Sequence, residues 1–89
     1  MHVSRICSDL IRIKSENPPG RTDEVIEYIR DFLAGIGIRS SVCGNGQGME
    51  NLIAQPESAR MMLCGHVDVV PASADGWTRP PFSGTIEDG

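Results

Sequence analysis

Val3, Ile6, Leu10 and Ile13 recur at helical spacing, so one apolar stripe runs from Val3 to Lys14 and predicts a first helix. Asn17-Pro18-Pro19-Gly20 ends it, because neither proline has a backbone N–H to donate. Thr22 suits the N-cap of a second helix, and Asp23 and Glu24 place negative charge at the positive end of its dipole. Val25, Ile26, Ile29, Phe32, Leu33 and Ile36 form its predicted buried face. Gly35 and Gly37 offer the left-handed positions at which it should stop.

Two short strands, Ile38–Cys43 and Asn51–Gln55, flank Gly44-Asn45-Gly46-Gln47-Gly48. That glycine run only superficially matches a dinucleotide-binding fingerprint. Met49 stands at the third glycine position and a strand follows where a helix is required, so a hairpin-type loop is predicted. After the turn at Pro56-Glu57-Ser58, Met61–Val70 is apolar without alternation, the pattern of a strand covered on both faces inside an α/β sheet. Ala72–Ser83 reads as irregular, stiffened by Pro80 and Pro81, with Trp77 and Phe82 as apolar surface to dock it. Gly84–Glu87 predicts the start of a fourth strand, and Asp88-Gly89 a hairpin turn.

The expected class is therefore α/β, with two helices and about four strands. A central strand needs neighbours on both edges and cover on both faces, more than these elements supply. The expectation is that residues 1–89 are a truncated part of a larger domain.

Composition narrows the partners. At 89 residues and 39% hydrophobic content the chain suits one modest core. The net charge of −4 is spread among interleaved acids and bases, so neither nucleic acid nor an anionic membrane is an expected partner. Cys7, Cys43 and Cys64 are odd in number and widely spaced, which argues for free, buried or half-buried thiols in a reducing cytoplasm. Ser4, Arg5, Ser8 and Asp9 interrupt any apolar leader, and no long apolar run follows, so a soluble cytoplasmic protein is expected.

The candidate chemistry lies in the apolar run, at His66-Val67-Asp68. Side chains two apart on a strand share a face, so imidazole and carboxylate should sit side by side. Such a pair serves a metal ligand with its supporting carboxylate, a histidine base with its orienting group, or simply a satisfied buried pair. Its place at the carboxyl end of a strand, running into a Pro-rich loop, favours ligand binding. Cys64 shares the face by spacing, but no nucleophile elbow or thiolate-stabilising context accompanies it. Arg79 has the fork to meet a substrate carboxylate, although a solvated surface arginine is the simpler expectation.

These residues also carry a resemblance. Leu63-Cys-Gly-His66-Val-Asp68-Val-Val-Pro71, Gly76-Trp-Thr-Arg-Pro-Pro-Phe-Ser83 and Gly84-Thr-Ile-Glu-Asp-Gly89 resemble the N-terminal portion of the M20 metallopeptidases. Within that family they look most like the acetylornithine deacetylase and succinyl-diaminopimelate desuccinylase branch. Ser15-Glu-Asn-Pro-Pro-Gly20 and Asn51-Leu-Ile-Ala54 fit the same pattern.

The resemblance implies the N-terminal part of a three-layer αβα sandwich with a mixed central sheet. It implies that His66 binds one metal of a two-zinc site (cobalt is the alternative) and that Asp68 is the catalytic-site carboxylate orienting it. The remaining ligands, the paired glutamates and a small lid domain would lie after Gly89. The implied reaction is hydrolysis of the amide of an N-acyl amino acid or small peptide, by a full-length protein that pairs as a homodimer. These 89 residues alone are expected to be inactive. The competing expectation is a small non-catalytic domain that binds a partner or a metal through the His66 face.

Overall fold

Helix α1 spans Val3–Arg12 and helix α2 spans Asp23–Gly35 in the computed structural model, which describes residues 2–89. Of the stripe residues, Ile6 and Leu10 on α1 and Ile13 at its C-cap are half-buried, while Val3 is exposed. The residue of α1 that is buried is Ser8, whose hydroxyl donates to the Gly84 carbonyl at 2.5 Å. Gly84 lies so close that a Cβ there would come within 2.5 Å of the Ser8 carbonyl oxygen. The predicted fourth strand therefore does not form, and its residues lie across α1. The Tyr28 hydroxyl of α2 donates to Asp9 of α1 at 2.9 Å, linking the two helices.

Val25 and Ile26 are the buried apolar residues of α2. Ile29, Phe32 and Leu33 follow on the same face, half-buried. Ile36 is a correction: the helix stops at Gly35, and Ile36 falls past its end and is exposed. Thr22 stands at the N-cap, but its side chain does not cap the helix. The Thr22 hydroxyl donates to the Glu50 carbonyl at 2.9 Å and accepts from the Glu50 N–H at 2.7 Å. The helix's first amides go instead to Gly48, whose carbonyl accepts from Thr22 N at 2.7 Å and Asp23 N at 3.2 Å. A hairpin carbonyl has taken the cap's place, which frees the hydroxyl to tie helix to strand. Thr22→Val leaves the part-buried Glu50 amide without its hydroxyl partner, and it should lower unfolding stability by about 1 kcal/mol in a denaturant titration.

Strands β1 (Ser41–Gly44) and β2 (Glu50–Ile53) form an antiparallel hairpin, with Val42 opposite Leu52 and Cys43 opposite Asn51. The glycine run is its loop, as expected, closed by Asn45 N donating to Met49 O at 3.3 Å. Gly46 and Gly48 have φ of 74° and 89°, the left-handed region in which a side chain is strained.

Met61–Val70 does not form the predicted covered strand. Met61, Met62 and Leu63 are 79–91% exposed, and within the run only Val69 pairs, in a parallel bridge with Glu16. A ladder requires a second extended segment alongside, and among the described residues only 15–17 supplies one. The chain is thus an α/β unit with two of the four expected strands, in which an antiparallel hairpin and a parallel bridge coexist. Its radius of gyration, 14.7 Å, exceeds the roughly 12 Å of a compact domain of this length, in keeping with so much uncovered apolar surface.

Three smaller expectations are also corrected. Cys7, Cys43 and Cys64 are free but exposed rather than buried, since the layers that would cover them are not among these elements. Trp77 is more than half exposed, so of the two aromatics only Phe82 docks, with the Lys14 ammonium 5.5 Å from its ring centre. Among the described residues, no helix is long and apolar enough to cross a membrane.

Candidate metal centre

Residues 15–17 lie alongside residues 67–69 and hold them in place. The Ser15 carbonyl accepts from Val69 N at 3.0 Å, and Asn17 N donates to the Val69 carbonyl at 2.7 Å. The buried Ser15 hydroxyl donates to the Val67 carbonyl at 2.6 Å. This clasp fixes the backbone on both sides of Asp68.

His66 and Asp68 are in contact, as their spacing requires. The His66 Nδ1–H donates to the Asp68 backbone carbonyl at 2.9 Å and faces Asp68 Oδ1 at 3.2 Å. Both partners are acceptors only, so Nδ1 carries the hydrogen and the neutral ring keeps its lone pair on Nε2. The imidazole is 83% exposed, so that lone pair faces outward rather than into a core. A satisfied core histidine is therefore the reading that the geometry does not support.

The other oxygen of Asp68, Oδ2, accepts from Asn17 Nδ2 at 3.2 Å. The Asn17 hydrogen bond, aided by the Asp68 backbone amide and by His66, holds the Asp68 carboxyl below its ordinary range, against a smaller opposing effect of burial. A carboxylate depressed in the folded state contributes stability above its unfolded pKa and loses it as pH falls through the lower folded value. The Asn17–Asp68 hydrogen bond should accordingly persist through the ordinary aspartate range and weaken only below it. A carbon-13 titration of the Asp68 carboxyl reads this directly: a midpoint at or above the ordinary value contradicts the Asn17–Asp68 hydrogen bond.

A single outward nitrogen with its carboxylate partner fits one coordinating position of a zinc ion and the group that orients it. Among the described residues, no group of three His, Cys, Asp or Glu side chains could hold a metal ion. The described residues thus bring together this one histidine–aspartate pair and no third ligating side chain beside it. Arg79 is engaged elsewhere, its Nε donating to Glu87 Oε1 at 2.7 Å, so it stands as a paired surface arginine. Nothing in the sequence pairs Ser15 or Asn17 with the His66–Asp68 segment. Their only signal there was the motif Ser15-Glu-Asn-Pro-Pro-Gly20, whose partners lie about fifty residues away.

No family model matches the chain, and no solved structure matches it. Curated proteins do. A probable succinyl-diaminopimelate desuccinylase of Staphylococcus epidermidis is 38% identical over 88 residues, covering 96% of this chain and 21% of that protein. The succinyl-diaminopimelate desuccinylase of Xanthobacter autotrophicus is 36% identical over 90 residues, covering 94% of this chain and 24% of its own length. The N-fatty-acyl-amino acid synthase/hydrolase PM20D1 of Bos taurus is 38% identical over 68 residues, 71% of this chain and 14% of the bovine protein. The relatives are thus hydrolases, desuccinylases foremost among them. The chain belongs to their family, M20, and spans about a fifth of the length of the curated relatives it matches, 21% in the first case.

Proposed function

We propose that the whole protein is a metal-dependent hydrolase that cleaves the amide of an N-acyl amino acid, with a succinyl group as the first acyl group to test. The names of the relatives support the reaction class, since desuccinylase and N-fatty-acyl-amino acid hydrolase share an amide between an acyl group and an amino acid. One observation carries the site assignment: the His66 Nδ1–H is committed to Asp68, which leaves Nε2 as an outward lone pair. His66 is then a ligand through Nε2, and Asp68 fixes its tautomer and ring plane. Zinc is the expected metal, two ions in the completed centre, with cobalt as the alternative. Bound there, the metal supplies Lewis-acid polarisation of the amide carbonyl and activation of a water. The substrate is a small molecule, and the reading places the protein in the cytoplasm.

The test is release of succinate from succinyl-diaminopimelate by the whole protein, followed beside acetyl and fatty-acyl amino acids. Hydrolysis that a chelator abolishes and zinc restores is the expected result. Chelator-insensitive hydrolysis, or none on any N-acyl amino acid, contradicts the proposal.

The 89 residues alone should bind zinc weakly and hydrolyse nothing, since they bring one ligand and its orienting carboxylate. Calorimetric titration reads this. Tight, stoichiometric zinc binding that depends on His66 would show that the centre closes within these residues.

A further inference from the structure

The contact between Asn17 and Asp68 joins two segments 51 residues apart and has no role in the chemistry so far described. We infer that Asn17 is a positioning residue: its amide holds the Asp68 carboxylate turned toward the His66 imidazole. The inference rests on the proposed role of His66 and Asp68 and goes beyond it.

An aspartate carboxylate rotates broadly about its last torsion, and the Asp68 side chain is 37% exposed, so water competes for it. Two donors on different oxygens remove that freedom. His66 Nδ1 faces Oδ1 and Asn17 Nδ2 faces Oδ2, each at 3.2 Å. The amide is itself held. Asn17 N donates at 2.7 Å to the carbonyl of Val69, the bridge residue next to Asp68. Asn17 Oδ1 packs against Gly20, where a Cβ would stand 3.2 Å from it, and Gly20 has a φ of +84° that favours glycine. The loop is closed by Gly20 N donating to Glu16 O at 2.9 Å. With Oδ1 turned to Gly20, Nδ2 points at the carboxylate, the only orientation in which the amide can bond an acceptor-only group.

The residue type fits the task. A lysine or arginine would donate equally well, but it would set a cation beside the position proposed for the metal. Serine is shorter and glutamine a methylene longer, on a backbone that the Val69 and Ser15 bonds do not let shift. Asparagine donates at this reach without charge.

The experiment uses the whole protein, wild type, Asn17→Ala and Asn17→Asp, with nitrogen-15-labelled histidine. The ring nitrogens of His66 are read in the metal-free state, where the result does not depend on catalysis. Zinc affinity by chelator competition, and kcat and KM for succinate release, are measured alongside.

In the wild type His66 should be the Nδ1–H tautomer. Asn17→Ala should mix the tautomers, weaken zinc binding by about tenfold, the lower end for groups that orient a ligand, and lower kcat while leaving KM unchanged. Asn17→Asp keeps the shape and the backbone bond but sets a carboxylate against a carboxylate, so its losses should be larger. A tautomer and kcat that stay at wild-type values in both variants overturn the inference, as does unfolding of both, which assigns Asn17 to structure alone. If only Asn17→Ala unfolds, Asn17→Asp decides. Failure of the underlying reading looks different: His66→Ala would then keep its full zinc content, while the metal-free tautomer measurement still judges Asn17.

Discussion

Replacing His66 with alanine in the whole protein is expected to lower amide hydrolysis by at least about a hundredfold and to reduce bound zinc. Lewis-acid stabilisation of a developing negative charge is worth several kcal/mol, and every ~1.4 kcal/mol is a factor of ten in rate. The structure explains why no neighbour should substitute. Nε2 is the outward nitrogen of a ring whose other nitrogen is committed to Asp68. Among the described residues, no cluster of three ligating side chains stands ready to hold the ion instead. Hydrolysis rate and zinc content, the latter by elemental mass spectrometry, check both halves. The exposed ring buries little surface, so the melting temperature should move little, and a large drop in it would point to a structural histidine.

Asp68→Ala should separate the two effects. The variant removes the carboxylate that faces Nδ1 at 3.2 Å but leaves the backbone carbonyl that accepts from the same nitrogen at 2.9 Å. The correct tautomer is therefore weakened rather than lost, and much of the zinc should stay bound. Activity should fall by about 10–100-fold, the range for groups that orient a metal-ligating histidine. Unchanged turnover would remove Asp68 from the site. Complete loss of zinc would instead make it a ligand in its own right.

Much of the fold was legible because its causes are local. The stripe of α2, its acidic first turn and its glycine stop all act within a few residues, and the helix forms where they place it. The hairpin loop follows from glycines that must take positive φ. The His66–Asp68 contact follows from the period of an extended chain, which holds here although no full strand forms.

What the sequence concealed is non-local. Met61–Val70 has the composition of a covered strand, but a strand is made by its neighbours, and among the described residues only 15–17 lie alongside. Thr22 satisfies every local rule for an N-cap, and a backbone group 28 residues away takes its hydroxyl. Asn17 reads as a turn residue before two prolines, and nothing nearby in sequence signals that its amide reaches Asp68. Of the candidate site, the pair was visible and the clasp that holds it was not.

The central assignment is His66 Nε2 as a metal ligand. Crystals of the whole protein grown with zinc, with anomalous differences measured at the zinc edge, test it most directly. A zinc peak is expected roughly 2.0–2.1 Å from His66 Nε2, with Nδ1 still turned to Asp68. Zinc bound elsewhere, with Nε2 facing solvent, would contradict it.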